Sequence, residues 1–307
     1  MNGIELMNMD KRLTYIIQEL SRKNPLHGKK LKKNLEDFDD QYFEIASNFL
    51  NKLDGLLQSK DKNIDYAIEC YLHMLADVTF DTIDFMRTGK YRSSSFEEVN
   101  KRVYDNPDIM EYYMYGLLLS QILWTQHYEI LRHFNKIIKK NKLVRNYLEI
   151  GAGHGLYLSE AIEIVGKEAN YDVVDISASS ISIAKEMARG KDVNYYLSDV
   201  FKFHPNKKYD FITCGEVLEH MEDPASLLNK IASMLSEKGK LYITTPTNAP
   251  AIDHIYLFTN AEEIREIIYL SGFEIVEETC FYSEKLEKEQ LEKFKVSMLY
   301  AGLLIKK

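Results

Sequence analysis

The sequence predicts an α/β protein in which an all-helical region precedes a doubly wound, mostly parallel sheet. Up to about residue 140, apolar side chains recur at spacings of three and four, with no strand-like alternation. From residue 142 onward, short apolar strands alternate with amphipathic helices, a pattern typical of a parallel sheet. The chain has 307 residues, 45% of them hydrophobic, which is enough for two ordinary domains. We therefore predict a helical domain over residues 1–140 and a sheet domain over residues 141–307.

Apolar stripes predict long helices in the first half. Residues 38–57 and 64–86 each place their apolar side chains on one face of a helix. Gly89 is expected to end the second of these helices, and Asn106 followed by Pro107 is expected to begin a later one. Such a domain suits a cap over a substrate or a surface for homodimer formation.

Seven apolar segments in the second half are predicted to be strands. Six of them cover residues 144–150, 171–176, 193–200, 209–217, 240–246 and 296–307, and the other follows a helix within residues 260–282. Between the fourth and fifth strands, Asp223 is expected to cap a helix that runs to Gly239.

A glycine-rich turn follows the first strand. Gly151, Gly153 and Gly155 stand in "YLEIGAGHG", where the absence of β-carbons lets a ligand approach the main chain. In doubly wound sheets the ligand lies beyond the carboxyl ends of the strands. Asp175 ends the second strand about twenty residues later, the place for an acid that binds ribose hydroxyls. A dinucleotide and an adenosyl sulfonium both satisfy these features.

The spacing of the glycines favours the sulfonium. A dinucleotide fingerprint would need glycine at position 156, where this chain has Leu156. Glu149 precedes the turn, and a carboxylate next to a pyrophosphate is repulsive, whereas it suits a cationic ligand. S-adenosylmethionine carries both an ammonium and a sulfonium. A nicotinamide oxidoreductase is the enzyme class that these two residues disfavour.

Five separated motifs, in order, resemble those of class I S-adenosylmethionine-dependent methyltransferases. They are "YLEIGAGHG", "VVDIS", "YLSDV", "YDFITCGEVLEHMEDP" and "GKLYITTPTNAP", within residues 146–307. The subgroup most similar to this chain has a fourth strand that ends in E-V-L-E-H. The resemblance implies a Rossmann-like sheet of seven strands, mostly parallel with the last strand antiparallel. It also implies S-adenosyl-L-methionine as cofactor and S-adenosyl-L-homocysteine as product.

The resemblance also implies which residues bind the cofactor. Glu149 and the glycine turn would hold the methionine end, Asp175 the ribose hydroxyls and Asp199 the adenine amino group. The whole expected set is Glu149, Gly151, Ala152, Gly153, Gly155, Asp175, Ile176, Asp199, Val200, Cys214, Gly215 and Glu216. Four members have plainer alternatives, since Glu149 and Asp175 could be ordinary strand-end carboxylates, Asp199 a helix cap or turn residue, and Cys214 a small apolar filler.

Candidates for the acceptor side are histidines and aromatic residues. The catalytic candidates are His127, His220, His254 and Glu216, and the expected substrate-binding residues are Tyr115, Trp124, His127 and His254. A histidine suits a phenol or amine acceptor, which arrives protonated, whereas an ionised carboxylate needs no base. Alternatively, His220 braces its loop, His254 is an exposed loop residue, and the aromatic stripe is core.

The expected reaction is O-methylation, at a carboxylate or hydroxyl, of a small-molecule or peptide acceptor in a biosynthetic pathway. N- or C-methylation is an alternative, and a non-catalytic scaffold that binds the cofactor is a second alternative of another class. No metal site is expected, because histidines and acids are scattered and no CxxC pair is present.

Charge and hydropathy exclude other partners. A formal net charge of -8 argues against nucleic acid as a partner. The longest apolar run, "YGLLLSQILW", is too short to span a bilayer, and the first twenty residues lack the pattern of a signal peptide. No membrane partner and a cytoplasmic location are therefore expected.

Overall fold

The computed structural model describes residues 9–307. The first eight residues, part of the segment judged for a signal peptide and of the predicted helical domain, lie outside the described residues. Helices fill the first part of the described chain. They are α1 (Lys11–Lys23), α2 (Pro25–Asp37), α3 (Asp40–Ser59), α4 (Ile64–Thr88), α5 (Phe96–Val99, continued by a π-helical turn over Asn100–Tyr104), α6 (Pro107–Leu123) and α7 (Thr125–Lys140).

The ends of these helices follow from local sequence. The Asn63 side chain accepts a hydrogen bond from Tyr66 N–H at the start of α4, and Gly89 ends that helix in the left-handed conformation at φ +71°. Asn106 caps α6, and Pro107 occupies its first turn. The predicted helix ends at Gly89 and Asn106 are confirmed.

The helix α7 belongs to the layers around the sheet. Its apolar face, which includes Ile130, Phe134 and Ile137, is buried in the same core as strand residues Tyr147 and Phe211. The predicted domain boundary at residues 140 and 141 therefore falls after a helix that already covers one face of the sheet.

Seven strands of the described chain form one sheet in the order β3-β2-β1-β4-β5-β7-β6. The strands are β1 (Asn146–Ile150), β2 (Asn170–Asp175), β3 (Val193–Leu197), β4 (Tyr209–Gly215), β5 (Leu235–Thr247), β6 (Phe273–Tyr282) and β7 (Met298–Lys306). The first five are parallel, and β7 is antiparallel to both β5 and β6. The predicted Rossmann-like sheet with an antiparallel last strand is confirmed.

Five further helices connect or flank the strands. These are α8 (Leu156–Val165), α9 (Ala178–Met187), α10 (Pro224–Met234), α11 (Ala261–Leu270) and α12 (Lys288–Lys293). The end predicted for α10 is wrong: the helix stops at Met234, and β5 begins at Leu235. Leu235 pairs with Tyr209 at the start of β4, before a bulge shifts the register of the two strands. This long-range pairing replaces the last helical turn that the local pattern favoured.

The N-terminal helices pack onto the sheet's own helices. Their buried residues share one core with Leu156 of α8 and with Ile183 and Met187 of α9. The helical region thereby forms a roof over the carboxyl ends of the parallel strands. No helix of residues 9–307 combines the length and hydropathy needed to cross a membrane.

Candidate functional site

A cavity of about 1080 Å³ lies under this roof, at the carboxyl ends of β1, β2 and β4. The strand order reverses between β1 and β4, the position where doubly wound sheets bind ligands. The volume is at the upper end of the range for small-molecule sites. It is therefore large enough for a nucleoside cofactor together with a second molecule.

The glycine turn forms the floor of the cavity. Gly151, Gly153 and Gly155 all have positive φ, at +66°, +51° and +76°. A β-carbon on Gly155 would lie 2.6 Å from the Ala184 Cα of α9, so this glycine is required by the approach of a neighbouring helix. The nearest atom to a β-carbon on Gly153 would be the Met114 sulfur at 3.5 Å, and Gly153 lines the cavity while Gly155 does not. Gly153 is thus the glycine of this turn that leaves room for a ligand.

Glu149 presents a buried carboxyl group to the cavity from the end of β1. It is 3% exposed, and its Oε2 accepts a hydrogen bond of 2.7 Å from the Tyr147 hydroxyl. Burial raises the pKa of Glu149 to about 8, because no cation of the described residues lies close enough to offset the loss of solvent. A cationic ligand group at this position would stabilise the ionised carboxylate.

Asp175 lies at the neighbouring end of β2. Its two oxygens accept hydrogen bonds from Gly153 N–H at 3.2 Å and Ser177 N–H at 2.8 Å, so it ties the glycine turn to the start of α9. Burial raises the pKa of Asp175 to about 6, although these N–H donors act in the opposite direction. Asp175 lines the cavity, and each oxygen has a second lone pair with which it can accept a bond from a ribose hydroxyl.

Asp199 and two neighbouring residues form a further part of the cavity wall. Asp199 caps a short 3₁₀ turn by accepting from Phe201 N–H at 2.9 Å, and it also lines the cavity, as do Ile176 and Val200. The cap and the ligand roles of Asp199 are thus compatible. Cys214 is fully buried among core residues and does not line the cavity, which places it where an apolar filler belongs.

The end of β4 brings Gly215 and Glu216 to the cavity wall. Glu216 adopts a left-handed backbone at φ +54°, which is unusual for a residue with a side chain and clusters at functional sites. Its Oε1 has no hydrogen-bond partner among the described residues. Burial and the charge of Glu219 both raise the pKa of Glu216.

Glu219 lies at the centre of a cluster that the sequence analysis did not identify. It is fully buried, and its Oε2 accepts a 2.9 Å hydrogen bond from the Thr245 hydroxyl. Its Oε1 has no hydrogen-bond partner in the described structure, yet it lies 3.9 Å from His220 Nε2 and 4.0 Å from His254 Nε2. These three atoms all lie within 4.8 Å of one another.

The loop after β5 fixes the ring orientation of both histidines. His220 Nδ1 lies 2.9 Å from the Asp253 carbonyl oxygen, and His254 Nδ1 lies 2.6 Å from the Ala249 carbonyl oxygen. Because a carbonyl only accepts, each Nδ1 is the donor, and in a neutral ring Nε2 then carries a lone pair. Asp253, which precedes His254 in the chain, contacts His220 and the Tyr104 hydroxyl.

The pKa values of the two histidines shift in opposite directions. Burial acts to lower the pKa of His220, but the charges of Asp253 and Glu219 outweigh it, and the pKa is raised. Burial and the nearby His220 lower the pKa of His254 to about 4, so His254 is neutral near pH 7. Burial raises the pKa of Glu219 to about 7. The cluster therefore offers one neutral imidazole beside a group that can hold a proton.

Of the residues predicted to bind the acceptor, Trp124 and His127 line the cavity and Tyr115 does not. The Trp124 indole N–H donates to the Tyr71 hydroxyl, and His127 Nδ1 lies 2.7 Å from Ser120 Oγ. Burial lowers the pKa of His127 to about 3. Tyr115 does not reach the cavity, because its side of α6 packs against α4, with its ring 5.4 Å from that of Tyr66.

Sequence reasoning missed two candidate residues of the site, Glu219 and Tyr113. Glu219 could have been predicted, because it is the second acid of the E-V-L-E-H motif. The residues predicted to be catalytic were instead its neighbours Glu216 and His220. Tyr113 lines the cavity in place of Tyr115, and the sequence alone could not decide this because α6 is apolar on all sides. The expectation of no metal site stays a prediction, since Glu219, His220 and His254 are a possible ligand set.

Comparison with known proteins identifies related chains. The profile of a family described as "Methyltransferase domain" matches residues 123–278. The malonyl-[acyl-carrier protein] O-methyltransferase 1 of Ilyobacter polytropus is 26% identical over 46% of this chain and 58% of its own length. The ubiquinone biosynthesis O-methyltransferase of Coxiella burnetii is 32% identical over 40% of this chain and 53% of its own. The chain thus spans just over half the length of these relatives.

One solved structure supports the fold. The mitomycin 7-O-methyltransferase MmcR superposes with a TM-score of 0.53 at 12% identity, covering 75% of this chain and 68% of that one. Because the identity is so low, the similarity concerns the fold alone.

Proposed function

Since the chain belongs to the methyltransferase-domain family of class I S-adenosylmethionine-dependent methyltransferases, we propose that it transfers a methyl group from S-adenosyl-L-methionine to an oxygen atom of a small molecule or peptide. The observation that carries this proposal is the pair of buried carboxyl groups, Glu149 and Asp175, on either side of a glycine turn in a large cavity. Glu149 has a raised pKa and no cation beside it in residues 9–307, which fits a site for a ligand ammonium.

The chain's residues have distinct roles in this proposal. S-adenosylmethionine supplies the electrophilic methyl group. Glu149 binds the ammonium of its methionine end, Asp175 accepts from the ribose hydroxyls, and Asp199 accepts from the adenine amino group. Gly153 leaves the floor open for the ligand, and the roof of helices excludes water and aligns the acceptor.

The histidine cluster favours a hydroxyl as the acceptor. A hydroxyl must lose a proton during methylation, whereas an ionised carboxylate has none to lose. His254 Nε2 is unprotonated, because Nδ1 donates to the Ala249 carbonyl oxygen, and it therefore offers a lone pair to that proton. The O-methyltransferase names of both sequence relatives agree with an oxygen acceptor.

A cation at the same cluster is a second candidate. Glu219 Oε1 and the two Nε2 atoms are separated by distances that ligands around one divalent ion can have. Histidine ligands of metals usually donate their other ring N–H to a carbonyl or carboxylate, as both histidines do here. A cation would supply Lewis-acid chemistry at the acceptor oxygen. Metal analysis of the purified protein, and activity before and after treatment with a chelator, separate this candidate from a base.

Cofactor binding tests the family assignment directly. We expect S-adenosylhomocysteine to raise the melting temperature of the protein, because it binds only the folded state. NAD should leave the melting temperature unchanged. A shift with NAD alone would contradict the proposal, and bound S-adenosylhomocysteine without turnover on any acceptor would favour a scaffold.

Transfer of a labelled methyl group identifies the acceptor. A cell extract is incubated with the protein and methyl-labelled S-adenosylmethionine, and the labelled product is isolated. His254→Gln should lower the transfer rate by about 100-fold while S-adenosylhomocysteine still binds. His204→Gln, at an exposed loop position, is the matched control. Unchanged transfer by the His254 variant would exclude its role as base.

A further inference from the structure

The cavity extends beyond the cofactor residues into a second part that we call the outer chamber. It lies between α4 and the segment 283–297 that connects β6 to β7. Its walls are mostly apolar, formed by Leu75, Val78, Phe85, Met86, Phe294 and Val296. Met86 is 79% exposed and Phe294 is 59% exposed, so these two residues lie at the rim where the chamber meets solvent.

A row of rings connects the histidine cluster to this chamber. The ring of His254 lies 5.7 Å from that of Tyr91, which lies 5.7 Å from that of Phe85. Tyr91 is held in place by the Ala249 N–H, which donates to its hydroxyl at 3.0 Å. Phe85 and His254 line the cavity, whereas Tyr91 does not, so Tyr91 supports the two rings on either side of it, and a molecule whose reacting atom is at His254 would extend past Phe85 toward the rim.

Two lysines end this row at the outer chamber. Lys295 Nζ lies 6.0 Å from the centroid of the Phe85 ring, and Lys293 lines the same rim. Neither forms an ion pair with the described residues, although the chain is acidic overall. Two nearby acids have other partners, since Glu284 pairs with Lys30 and Glu292 with Lys288, and the remaining acids of the segment, Glu287 and Glu289, do not line the cavity. The outer chamber thus combines apolar walls with two lysines that form no ion pair with the described residues.

We propose that the acceptor is an elongated apolar or aromatic molecule with an anionic group at the end remote from the methylated atom. Lys293 and Lys295 bind that group and determine specificity for it, while the ring of Phe85 contacts the apolar body. This inference rests on the proposed function, because it takes the cluster at His254 as the reacting end. The lysines are exposed, so their attraction for the anion is modest and sensitive to salt.

A pair of dyes tests the inference without knowledge of the natural acceptor. 1-Anilinonaphthalene-8-sulfonate and N-phenyl-1-naphthylamine share an apolar body, and only the first carries an anion. Trp124 is the single tryptophan of the chain and lines the cavity, so energy transfer from Trp124 reports dye bound there. Affinities are measured with saturating S-adenosylhomocysteine for the wild type, for Lys293→Gln/Lys295→Gln and for the control Lys288→Gln.

We expect the wild type to bind the sulfonate about three- to tenfold more tightly than the neutral dye. The double variant should lose this preference with unchanged affinity for the neutral dye, and Lys288→Gln should keep it. Added salt should weaken sulfonate binding in the wild type but not in the double variant. Equal affinities in the wild type, or a preference that survives in the double variant, would overturn the inference.

Two further measurements complete the test. The melting-temperature shift with S-adenosylhomocysteine is recorded for every variant: failure of that shift refutes the proposed function, whereas a normal shift without sulfonate preference refutes this inference alone. Displacement of the sulfonate dye by dodecanoate but not dodecanol indicates a free acid as the source of the anion. Displacement by phosphopantetheine but not pantetheine indicates a carrier-tethered acceptor, and displacement by neither anion contradicts the inference.

Discussion

Glu149 is a buried acid whose ionisation opposes folding until a cation binds. In the folded protein its pKa is about 8, whereas in the unfolded chain it returns to an ordinary value near 4.5. Between these values the folded state holds a proton that the unfolded state has lost. Stability of the ligand-free protein therefore falls as pH rises through this window.

This titration yields a prediction for Glu149→Gln. The variant should become more stable relative to wild type as pH rises from 5.5 to 7.5, by up to about 2.7 kcal/mol in the free energy of unfolding. Urea unfolding of ligand-free wild type and variant at both pH values provides the measurement. Glu168→Gln, at an exposed position, is the control and should show no such change. A wild-type-to-variant difference that is constant with pH would contradict the raised pKa of Glu149.

Asp175 has a structural and a ligand-binding role that substitutions can separate. Asp175→Ala removes both, and we expect it to weaken S-adenosylhomocysteine binding by more than tenfold, about 1.4 kcal/mol. Asp175→Asn keeps one acceptor oxygen, and with it one of the two backbone N–H bonds, and so should fold more like wild type than Asp175→Ala does. Calorimetric titration measures both variants, with Asp192→Asn at an exposed position as control. Unchanged affinity of Asp175→Ala would refute the ribose role.

The cluster around Glu219 could not be predicted from the sequence, because its residues come together only in the folded chain. Glu216 and His220, both catalytic candidates, are four residues apart, a spacing that would place them on one face of an α-helix. The chain instead makes a 3₁₀ turn over Leu218–His220, which brings Glu219 inward beside His220. His254 joins them from a loop more than thirty residues later, and only tertiary structure brings the two segments together. The cofactor residues were more predictable, because strand ends and turns are local features.

The contact between α8 and α9 depends on a glycine at the start of α8. Gly155→Ala would place a β-carbon 2.6 Å from Ala184 Cα and would also strain the backbone at φ +76°. Gly190→Ala, at φ +78° with no atom within 4 Å of the added carbon, carries the strain alone. We expect a loss of about 1 kcal/mol for Gly190→Ala and at least about 2 kcal/mol more for Gly155→Ala.

Urea unfolding of the two glycine variants measures both losses. Because their φ values are nearly the same, the difference between them isolates the steric clash with α9. Equal losses would show that α9 can move away from α8 without penalty. In that case backbone conformation alone, and not helix packing, would explain the glycine at position 155.

Local pattern predicted the existence of every strand but not every boundary. The helix α10 was expected to continue to Gly239, since the residues before it are good helix formers. The observed end at Met234 follows from pairing of Leu235 with Tyr209, a contact across the sheet. At Gly239 a β-carbon would lie 2.7 Å from the Tyr209 carbonyl oxygen, so this glycine serves the strand and not a helix end. Such contacts are invisible to periodicity.

The two halves of the chain are joined through a common core and through the cavity itself. Residues of the helical roof are buried together with Leu156, Ile183 and Met187 of the sheet's helices. The sequence predicted that a helical region exists, but it contained no motif to show where that region packs. Its position over the strand ends follows from apolar faces on both halves that neither half buries alone.

A shared core predicts a single unfolding transition for the whole molecule. Loss of the roof would expose the apolar faces of α8 and α9, so the sheet region should not persist after the helical region has unfolded. We expect Trp124 fluorescence, which reports on the roof and cavity, to follow the same urea dependence as far-UV circular dichroism. S-adenosylhomocysteine at about 100 times its dissociation constant should raise the free energy of unfolding by about 2.7 kcal/mol and keep the two curves coincident. Separate transitions, with only the later one shifted by the ligand, would mean that the roof is an independent unit and that the sheet region alone binds the cofactor.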